Sequence, residues 1–218
     1  MKKVVFVLII VILIVGLLVI RLARLPSHQT ATSPSPTAAQ SITSSPIISP
    51  SNTPNKFGLA DPVADFKARV TKKPFGIYVT PQNSPIQPER FTGYHTGADA
   101  EYQDVTADVP VYAVADGKVV LSEYASGYGG VLIIGIQLNG APHTVLYGHI
   151  RPSSLPKVGT NVTKGEKLAV LGTGYSTETD GERRHLHFAV LSNNRLDIRG
   201  YVQSKAELSG WIDPLTLY

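Results

Sequence analysis

Cysteine is absent from the 218 residues. Its absence excludes disulfide bonds, thiolate nucleophiles and cysteine-based zinc sites, and it leaves the redox compartment of the protein open. Aspartate and glutamate are absent from the first 55 residues, where Lys2, Lys3, Arg21 and Arg24 are the only lysines and arginines. The rest of the chain holds the other 16 basic side chains and all 16 acidic ones. This balance does not indicate a basic groove for phosphates, so no nucleic-acid partner is expected.

The N-terminal segment contains an uninterrupted apolar run. Residues 4–20 have no polar or charged side chain, and lysines or arginines flank them on both sides. The run is at the short end of the length that crosses a bilayer as a helix. No small-residue cleavage site follows it, which predicts an uncleaved membrane anchor at residues 1–25 and a single-pass membrane protein. Cleavage would instead give a secreted protein, and the flanking charges leave the orientation undetermined.

A second segment separates this anchor from the rest of the chain. Residues 26–55 are mostly proline, serine and threonine, with no lysine, arginine, aspartate or glutamate. Such a composition cannot build a hydrophobic core and keeps the chain extended, so it predicts a disordered tether. The folded domain is expected at residues 56–218, and with 43% hydrophobic residues overall the chain can bury one sizeable core.

Short runs rich in Val, Ile, Leu and Tyr follow one another through this domain. They predict strands at PFGIYV, VPVYAV, GKVVLSEYA, GVLIIGIQL, HTVLYGHI, KLAVLG and HLHFAVLS. Turn signals lie between them, among them ADG, SGYGG and NGAP. Strands this close, with no helical pattern between them, cannot be joined by parallel crossovers, so a mainly β domain with an antiparallel sheet is predicted. One short N-terminal helix is predicted in DPVADFKARV, with Asp61 as N-cap and Pro62 at the first helical position.

Four of the six histidines fall in three short motifs. His95 precedes Asp99 in HTGAD, His149 lies in YGHI, and His185 and His187 are separated by one residue in HLH. In a strand, side chains two residues apart project from the same face, so the last two imidazoles point into one shared space. Catalytic zinc prefers three protein ligands drawn from histidine and carboxylate, with a fourth position left for water. His95, Asp99 and one histidine of HLH would supply that set.

The histidines left over by such a ligand set predict a catalytic role. Hydrolysis needs a base for the attacking water and a donor for the developing oxyanion, and imidazole can serve as either near neutral pH. Each motif alone is more often structural than functional, but their conjunction in one β domain favours a zinc site. Because the glycine inside HTGAD argues against a helical pair, His95 and Asp99 would have to converge through a loop.

At these motifs the sequence resembles a known family. FTGYHTGADAE, DVPVYAVADGKVV, TVLYGHI, KVGTNVTKGEKLAVLGTGYST and HLHF are similar to the successive landmarks of the lysostaphin-type, or LytM-like, zinc endopeptidases (peptidase family M23), over residues 74–192. The resemblance implies Zn²⁺ on His95, Asp99 and His187, with His149 and His185 as the catalytic pair. It implies a twisted antiparallel sheet with a groove for an extended peptide.

The same resemblance carries expectations about substrate and location. Enzymes of this family cut the peptide stems or cross-bridges of bacterial peptidoglycan, so peptidoglycan is the expected partner. The domain would then be extracytoplasmic, in the bacterial cell envelope, and held at the membrane by the N-terminal helix.

Three departures from the family pattern are visible. The segments AEYQDVTAD after Asp99 and ETDGERR before HLHF are longer than usual, and Ala189 takes the place of an acidic residue. The two longer segments would change the groove walls, and hence the cleavage specificity, rather than the metal site. Arg183 and Arg184 in the second segment are expected either in a solvated loop or facing acidic parts of the substrate.

Two other functions fit parts of the sequence. The same fold occurs as a non-catalytic domain that binds peptidoglycan or activates a separate hydrolase, but such members lose ligands, whereas all five positions are present here. VGTNVTKGEKLAVLG also resembles carrier domains for biotin or lipoyl, which need a lysine at a hairpin tip next to methionine. Here TGYST follows the run, and Met1 is the only methionine. The sequence therefore favours a zinc endopeptidase that hydrolyses amide bonds of peptidoglycan peptides.

Overall fold

The computed structural model of the protein describes residues 57–218. The predicted anchor at 1–25 and the predicted tether at 26–55 lie outside these residues, so both stay predictions. Within residues 57–218, none of the helices combines the length and the hydrophobicity that a bilayer crossing requires.

Strands dominate the described part of the chain. The twelve strands are β1 Tyr78–Val79, β2 Gly93–His95, β3 Ala98–Glu101, β4 Pro110–Tyr112, β5 Gly117–Ala125, β6 Gly129–Leu138, β7 Ala141–Ile150, β8 Asn161–Val162, β9 Lys167–Val170, β10 His185–Leu191, β11 Tyr201–Val202 and β12 Trp211–Ile212. The helices are short: α1 Phe66–Arg69, α2 Lys205–Leu208, and three 3₁₀ turns at Pro152–Ser154, Thr177–Thr179 and Pro214–Leu217.

The strands form three sheets, and every strand pair among residues 57–218 is antiparallel. The main sheet has the order β12-β10-β7-β6-β5-β8. β3 is not in this order and pairs with β10. Smaller sheets of β1-β2-β11 and β4-β9 complete the domain. The predicted mainly β, antiparallel fold is therefore confirmed.

A tight turn explains why β6 and β7 pair so extensively. Asn139 and Gly140 connect the two strands, and their φ angles of 51° and 77° place both residues in the left-handed region. A two-residue hairpin loop with both φ angles positive matches the right-handed twist of the strands, and Asn-Gly is the sequence that best tolerates it. The turn predicted at NGAP is confirmed.

The N-terminal helix is shorter than predicted. It consists of the single turn Phe66–Arg69 and begins after Asp65, so Asp61 does not cap it and Pro62 lies before it. The prediction of its start was wrong because a single turn gains little from capping and is held in place by tertiary packing. That packing comes from Phe66, which is fully buried and meets the ring of Phe188 on β10 edge-on, with centroids 5.2 Å apart.

The main sheet buries apolar side chains on both faces. Along β10, Leu186, Phe188 and Val190 pack into the larger core, whereas Ala189 and Leu191 pack into a smaller cluster on the other face. Because successive side chains of a strand alternate between faces, His185 and His187 lie on the face of that smaller cluster. The alternation of β10 therefore delivers both imidazoles to one side of the sheet.

Candidate metal and catalytic site

Three of the predicted site residues converge on one point. The Nε2 atom of His95, the Nδ1 atom of His187 and the Oδ1 atom of Asp99 form a triangle with sides of 3.0, 3.1 and 3.1 Å. Metal bonds of about 2.0–2.1 Å at tetrahedral angles place their ligand atoms about 3.3 Å apart. All three residues are buried. The triangle therefore has the size and the donor chemistry of a zinc site.

His95 is the last residue of β2, and its ring orientation is fixed from behind. Its main-chain N–H bonds to the carbonyl of Ile77 at 2.9 Å, and its carbonyl accepts the N–H of Gly76 at 2.9 Å. The ring Nδ1 lies 3.2 Å from the carbonyl oxygen of Pro74. A proton on Nδ1 donates to that oxygen, which leaves the lone pair of Nε2 free to bind a metal.

Asp99 lies on β3 directly opposite His187 on β10. Its Oδ1 completes the triangle, whereas its Oδ2 accepts a hydrogen bond from Nη2 of Arg183 at 2.7 Å and lies 3.3 Å from Nε2 of His185. Burial alone would raise the pKa of Asp99, but the facing His95, His185 and Arg183 hold it well below its usual value. The carboxylate is therefore ionised, the form in which it binds cations.

A glycine makes the approach of these ligands possible. Only Thr96 and Gly97 separate β2 from β3, so His95 and Asp99 meet across a short loop, as the glycine in HTGAD predicts. A Cβ atom on Gly97 would lie 2.6 Å from the carbonyl oxygen of Phe188 and 2.9 Å from Nε2 of His187. A larger residue at this position would push against the His187 imidazole.

His187 is buried in the middle of the site. Burial lowers its pKa to about 4, although Asp99 partly opposes that effect. The imidazole is therefore neutral near pH 7, which is the state that binds a metal. Its Nε2 atom is buried and has no hydrogen-bond partner among residues 57–218.

His149 reaches the site through an irregularity in β7. Val131 of β6 faces Gly148 and Gly130 faces Ile150, so His149 is the extra residue of a β-bulge, with a φ of 64°. Bulges next to active sites redirect side chains. The ring of His149 lies against that of His185, with centroids 4.1 Å apart. Burial, with a smaller contribution from His185, holds the pKa of His149 well below its usual value, so it is neutral near pH 7.

His185 faces oxygen atoms with both ring nitrogens. Its Nδ1 lies 2.9 Å from the carbonyl oxygen of Arg183, and its Nε2 lies 3.3 Å from Oδ2 of Asp99. Like the other four predicted residues it is buried, at 3% exposure. The structure thus brings all five predicted residues together, as three possible ligands with an adjoining pair of imidazoles; their roles stay predictions.

Four of the five residues, Asp99, His149, His185 and His187, line a cleft of about 340 Å³. Its walls include Phe91, Tyr128, Glu182, Arg199 and Tyr201. The hydroxyl of Tyr128 is buried and has no partner within residues 57–218, and burial raises its pKa above its usual value. Sequence reasoning did not single out Tyr128, although it lies in the turn motif SGYGG.

Several buried basic side chains lie near the site, and their contacts were not predicted from the sequence. Arg183 is 2% exposed and Arg184 is 9% exposed, so the prediction of a solvated loop is wrong for both. The guanidinium of Arg183 binds Asp99 and Glu101, and that of Arg184 binds the carbonyl of Val105. On another side of the cleft, Lys73 forms a buried ion pair with Glu89 and donates a hydrogen bond of 3.0 Å to the hydroxyl of Tyr201.

Parts of the chain are similar to known proteins. Over 63 residues the chain is 36% identical to the murein hydrolase activator EnvC of Escherichia coli (strain K12), an alignment that covers 29% of this chain and 14% of EnvC. The fold is similar to a solved structure of LytU, with 27% identity, a TM-score of 0.44, and coverage of 67% of this chain and 81% of that one. It is also similar to a zinc-containing peptidase from Vibrio cholerae, with 28% identity, a TM-score of 0.38, and coverage of 57% and 35%.

Part of the chain also matches a protein-family sequence model. Residues 93–198 fit the sequence model of Peptidase family M23, and this range contains all five predicted site residues. This match confirms the resemblance to peptidase family M23 that the motifs predict.

Proposed function

We propose that this protein is a zinc-dependent endopeptidase that hydrolyses amide bonds in peptidoglycan peptides. The observation that carries the proposal is the triangle of His95, Asp99 and His187 with the imidazoles of His149 and His185 beside it. A structural role for this cluster would not require five buried polar side chains in one place, since burying polar groups is unfavourable unless they are paired. The match of residues 93–198 to the model of Peptidase family M23 supports the same proposal.

The three ligands suit zinc by their chemistry. Two imidazole nitrogens and one carboxylate oxygen are a donor set that catalytic zinc takes from proteins, and such a set would leave one position for water or substrate. When bound there, zinc would supply a Lewis acid for the scissile carbonyl and would lower the pKa of water toward about 7. Burial keeps His187 neutral near pH 7, and the contact of Nδ1 with the Pro74 carbonyl turns Nε2 of His95 toward the other two ligands.

The remaining two histidines would move the protons. His149 is neutral near pH 7 and its Nδ1 has no partner in the described part of the chain, so we assign it as the base that accepts the proton of the attacking water. Both nitrogens of His185 face oxygen atoms, which favours a donor. We therefore assign His185 to stabilise the oxyanion and to protonate the leaving amine.

The cleft beside these residues would hold the peptide. Its aromatic and polar walls suit an extended chain that passes the metal site, and both peptide stems and cross-bridges of peptidoglycan are chains of that kind. We further propose that the domain works outside the cytoplasm, held near its own membrane by the anchor and tether predicted at residues 1–55. The basis for that location is the apolar run at residues 4–20 together with the nature of the substrate.

A cell-wall digestion assay tests the enzymatic proposal. Purified protein loaded with zinc is expected to release soluble peptide fragments from bacterial cell walls, and mass analysis of the fragments would identify the bond that is cut. Protein stripped of metal by a chelator should release none until zinc is returned. Absence of release under every metal condition would rule out the endopeptidase.

One observation favours a second candidate function. The similarity to EnvC, named as a murein hydrolase activator, fits a non-catalytic domain that activates a separate hydrolase. A domain of that kind has no need of a complete metal site, whereas this chain keeps all five site positions close together. An activator would stimulate a partner hydrolase even after His149→Ala, while the endopeptidase would lose its own activity.

A further inference from the structure

Arg183 is a buried cation next to one of the proposed metal ligands. It belongs to the segment 178–184, which is longer than usual for the family, and its side chain is 2% exposed. A buried guanidinium is costly unless carboxylates surround it. Two carboxylates do so here: Nη2 donates to Oδ2 of Asp99 and to Oε1 of Glu101, each at 2.7 Å, and Nε lies 3.0 and 3.1 Å from the oxygens of Glu101.

The strand register places these three groups together. Asp99 and Glu101 are two residues apart on β3, so their side chains share a face, and they lie opposite His187 and His185 of β10. Arg183 continues the same alternation two residues before His185. The alternation that brings the two histidines to the site thus also brings Arg183 beside Asp99.

The contact between Arg183 and Asp99 gives the two carboxylate oxygens of Asp99 different partners. Oδ2 accepts the hydrogen bond of Arg183 at 2.7 Å and lies farther, at 3.3 Å, from Nε2 of His185, whereas Oδ1 lies 3.1 Å from both His95 and His187. A carboxylate can bind a metal through one oxygen or through both, and the second mode would occupy the position needed by water. Glu101 matters as well, because it offsets the charge of Arg183 and fixes the guanidinium plane with two further contacts.

We infer that Arg183, held by Glu101, is a positioning residue that presents a single oxygen of Asp99 to the metal and thereby sets the metal affinity of the site. The inference rests on the proposed function for the identity of the site, but not on peptidase activity. Outer partners of metal ligands typically change metal affinity by about 10- to 100-fold when they are removed. Arg183 would be such a partner, contributed by a segment in which this chain departs from its family.

Metal titration of the purified full-length protein tests the inference. Zinc affinity is measured by competition with a chromophoric chelator for the wild type and for Arg183→Gln, Arg183→Lys and Glu101→Gln. We expect Arg183→Gln to weaken zinc binding about 10- to 100-fold. Lysine keeps the charge but not the fork of donors, so Arg183→Lys should fall between the wild type and Arg183→Gln. The visible spectrum of the Co²⁺-substituted protein gives a second readout, because it changes when a carboxylate switches from one-oxygen to two-oxygen binding.

Arg184→Gln is the matched control, since this neighbouring buried arginine binds the Val105 carbonyl instead of Asp99. It should keep zinc affinity within about twofold of the wild type. Wild-type affinity and an unchanged Co²⁺ spectrum in Arg183→Gln would overturn the inference and leave Arg183 a structural ion pair. If neither Arg183 variant folds, Glu101→Gln decides, with weakened zinc binding expected and unchanged binding contradicting the inference.

The outcomes also separate this inference from the proposed function. A wild type that binds zinc but releases no wall fragments would disprove the endopeptidase, and the affinity series would still decide the role of Arg183. A wild type that binds no zinc would overturn both.

Discussion

The imidazoles of His149 and His185 lie 4.1 Å apart between ring centroids, with their planes inclined at 41°, although the two residues come from different strands. The contact depends on the bulge in β7. In a regular strand His149 would point away from Gly148 toward the larger core, but the bulge gives that place to Ile150, which is fully buried there. The bulge is therefore what brings the ring of His149 against that of His185.

Removing either imidazole of this pair should abolish most of the activity without removing the metal. We expect His149→Ala and His185→Ala each to lower kcat by about 10²- to 10⁴-fold, the usual contribution of acid–base groups. Because both imidazoles act in the same series of proton transfers, the double variant should be only slightly less active than the less active of the two single variants. Zinc analysis of the same samples should give wild-type metal content. Loss of zinc from either single variant would instead make that residue a ligand.

Changing a residue of the ligand triangle should remove the metal itself, whereas the changes to His149 and His185 should leave it bound. Asp99→Asn keeps the shape of the side chain but removes its charge, and His95→Ala removes a nitrogen donor, so both should lose stoichiometric zinc. His143→Ala serves as the control, because His143 is a histidine bound to the carbonyl of Leu191 at 2.8 Å and stands outside the triangle. Metal analysis after dialysis reads the result, with thermal unfolding to show that each variant folds. Full retention of zinc by both ligand variants would contradict the ligand assignment.

The long strands could be predicted from the sequence, as could the short strands β1, β4 and β9, which lie in the predicted runs PFGIYV, VPVYAV and KLAVLG. Other short strands could not. β5, β6, β7 and β10 are long runs of apolar residues, several of them buried on both faces, and each was recognisable from composition alone. β2 and β3, with the sequences GYH and ADAE, show no such pattern. They are strands because β10 and β11 offer them pairing partners, and pairing between distant segments leaves no signal in a short run.

The same distinction applies to the site. All five residues singled out from the sequence meet in the structure, since motif chemistry and the alternation of β10 are local properties. The bulge that turns His149 into the site depends on the register between β6 and β7, which a sequence does not state. The burial of Arg183 likewise depends on two carboxylates from a strand that was not predicted. Long-range pairing accounts for what was missed.

The buried pair of Lys73 and Glu89 should make stability depend on pH. Burial alone would raise the pKa of Glu89, but Lys73, Ser84 and the N–H of Phe91 lower it below its usual 4.5. A lowered pKa in the folded state stabilises the protein above about pH 4.5, and this stabilisation is lost as the pH falls through the folded-state pKa. Glu89→Gln leaves the Lys73 ammonium buried without its partner charge, which should cost about 3–5 kcal/mol of unfolding free energy at pH 7.

Urea unfolding at two pH values checks this prediction. The difference in unfolding free energy between wild type and Glu89→Gln should be large at pH 7 and should shrink at a second, acidic pH below 4.5, as the pH falls toward and through the lowered folded-state pKa of Glu89. Glu123→Gln is the control, because Glu123 is an exposed acid on β5. An equal gap at both pH values would show that the ionised pair does not stabilise the fold.

Adding one methyl group at Gly97 should damage the metal site. Its Cβ would press on the Phe188 carbonyl and on the His187 ring, so Gly97→Ala should displace His187 and weaken zinc binding by at least about tenfold. Gly135→Ala is the matched control, since its Cβ would meet nothing closer than Val120 Cγ1 at 3.5 Å. Chelator competition compares the two variants. Equal zinc affinities would show that the loop between β2 and β3 relaxes without moving His187.

Loosening the segment 178–184 should alter substrate binding but not metal binding. Asp180 ties this segment to the turn after β5, where its Oδ2 accepts the N–H of Gly127 at 2.7 Å and its Oδ1 accepts the hydroxyl of Tyr124 at 3.1 Å. Gly127 and Glu182 both line the cleft, so Asp180→Ala frees one wall of it. We expect KM for soluble peptidoglycan fragments to rise about three- to tenfold while kcat and zinc content stay within about twofold, the pattern of lost ground-state binding. Asp104→Ala removes a surface acid that is paired with Arg69 and absent from the cleft lining, and it should change neither constant. If Asp180→Ala changes KM no more than Asp104→Ala does, the segment 178–184 covers the turn after β5 without shaping the surface that binds substrate.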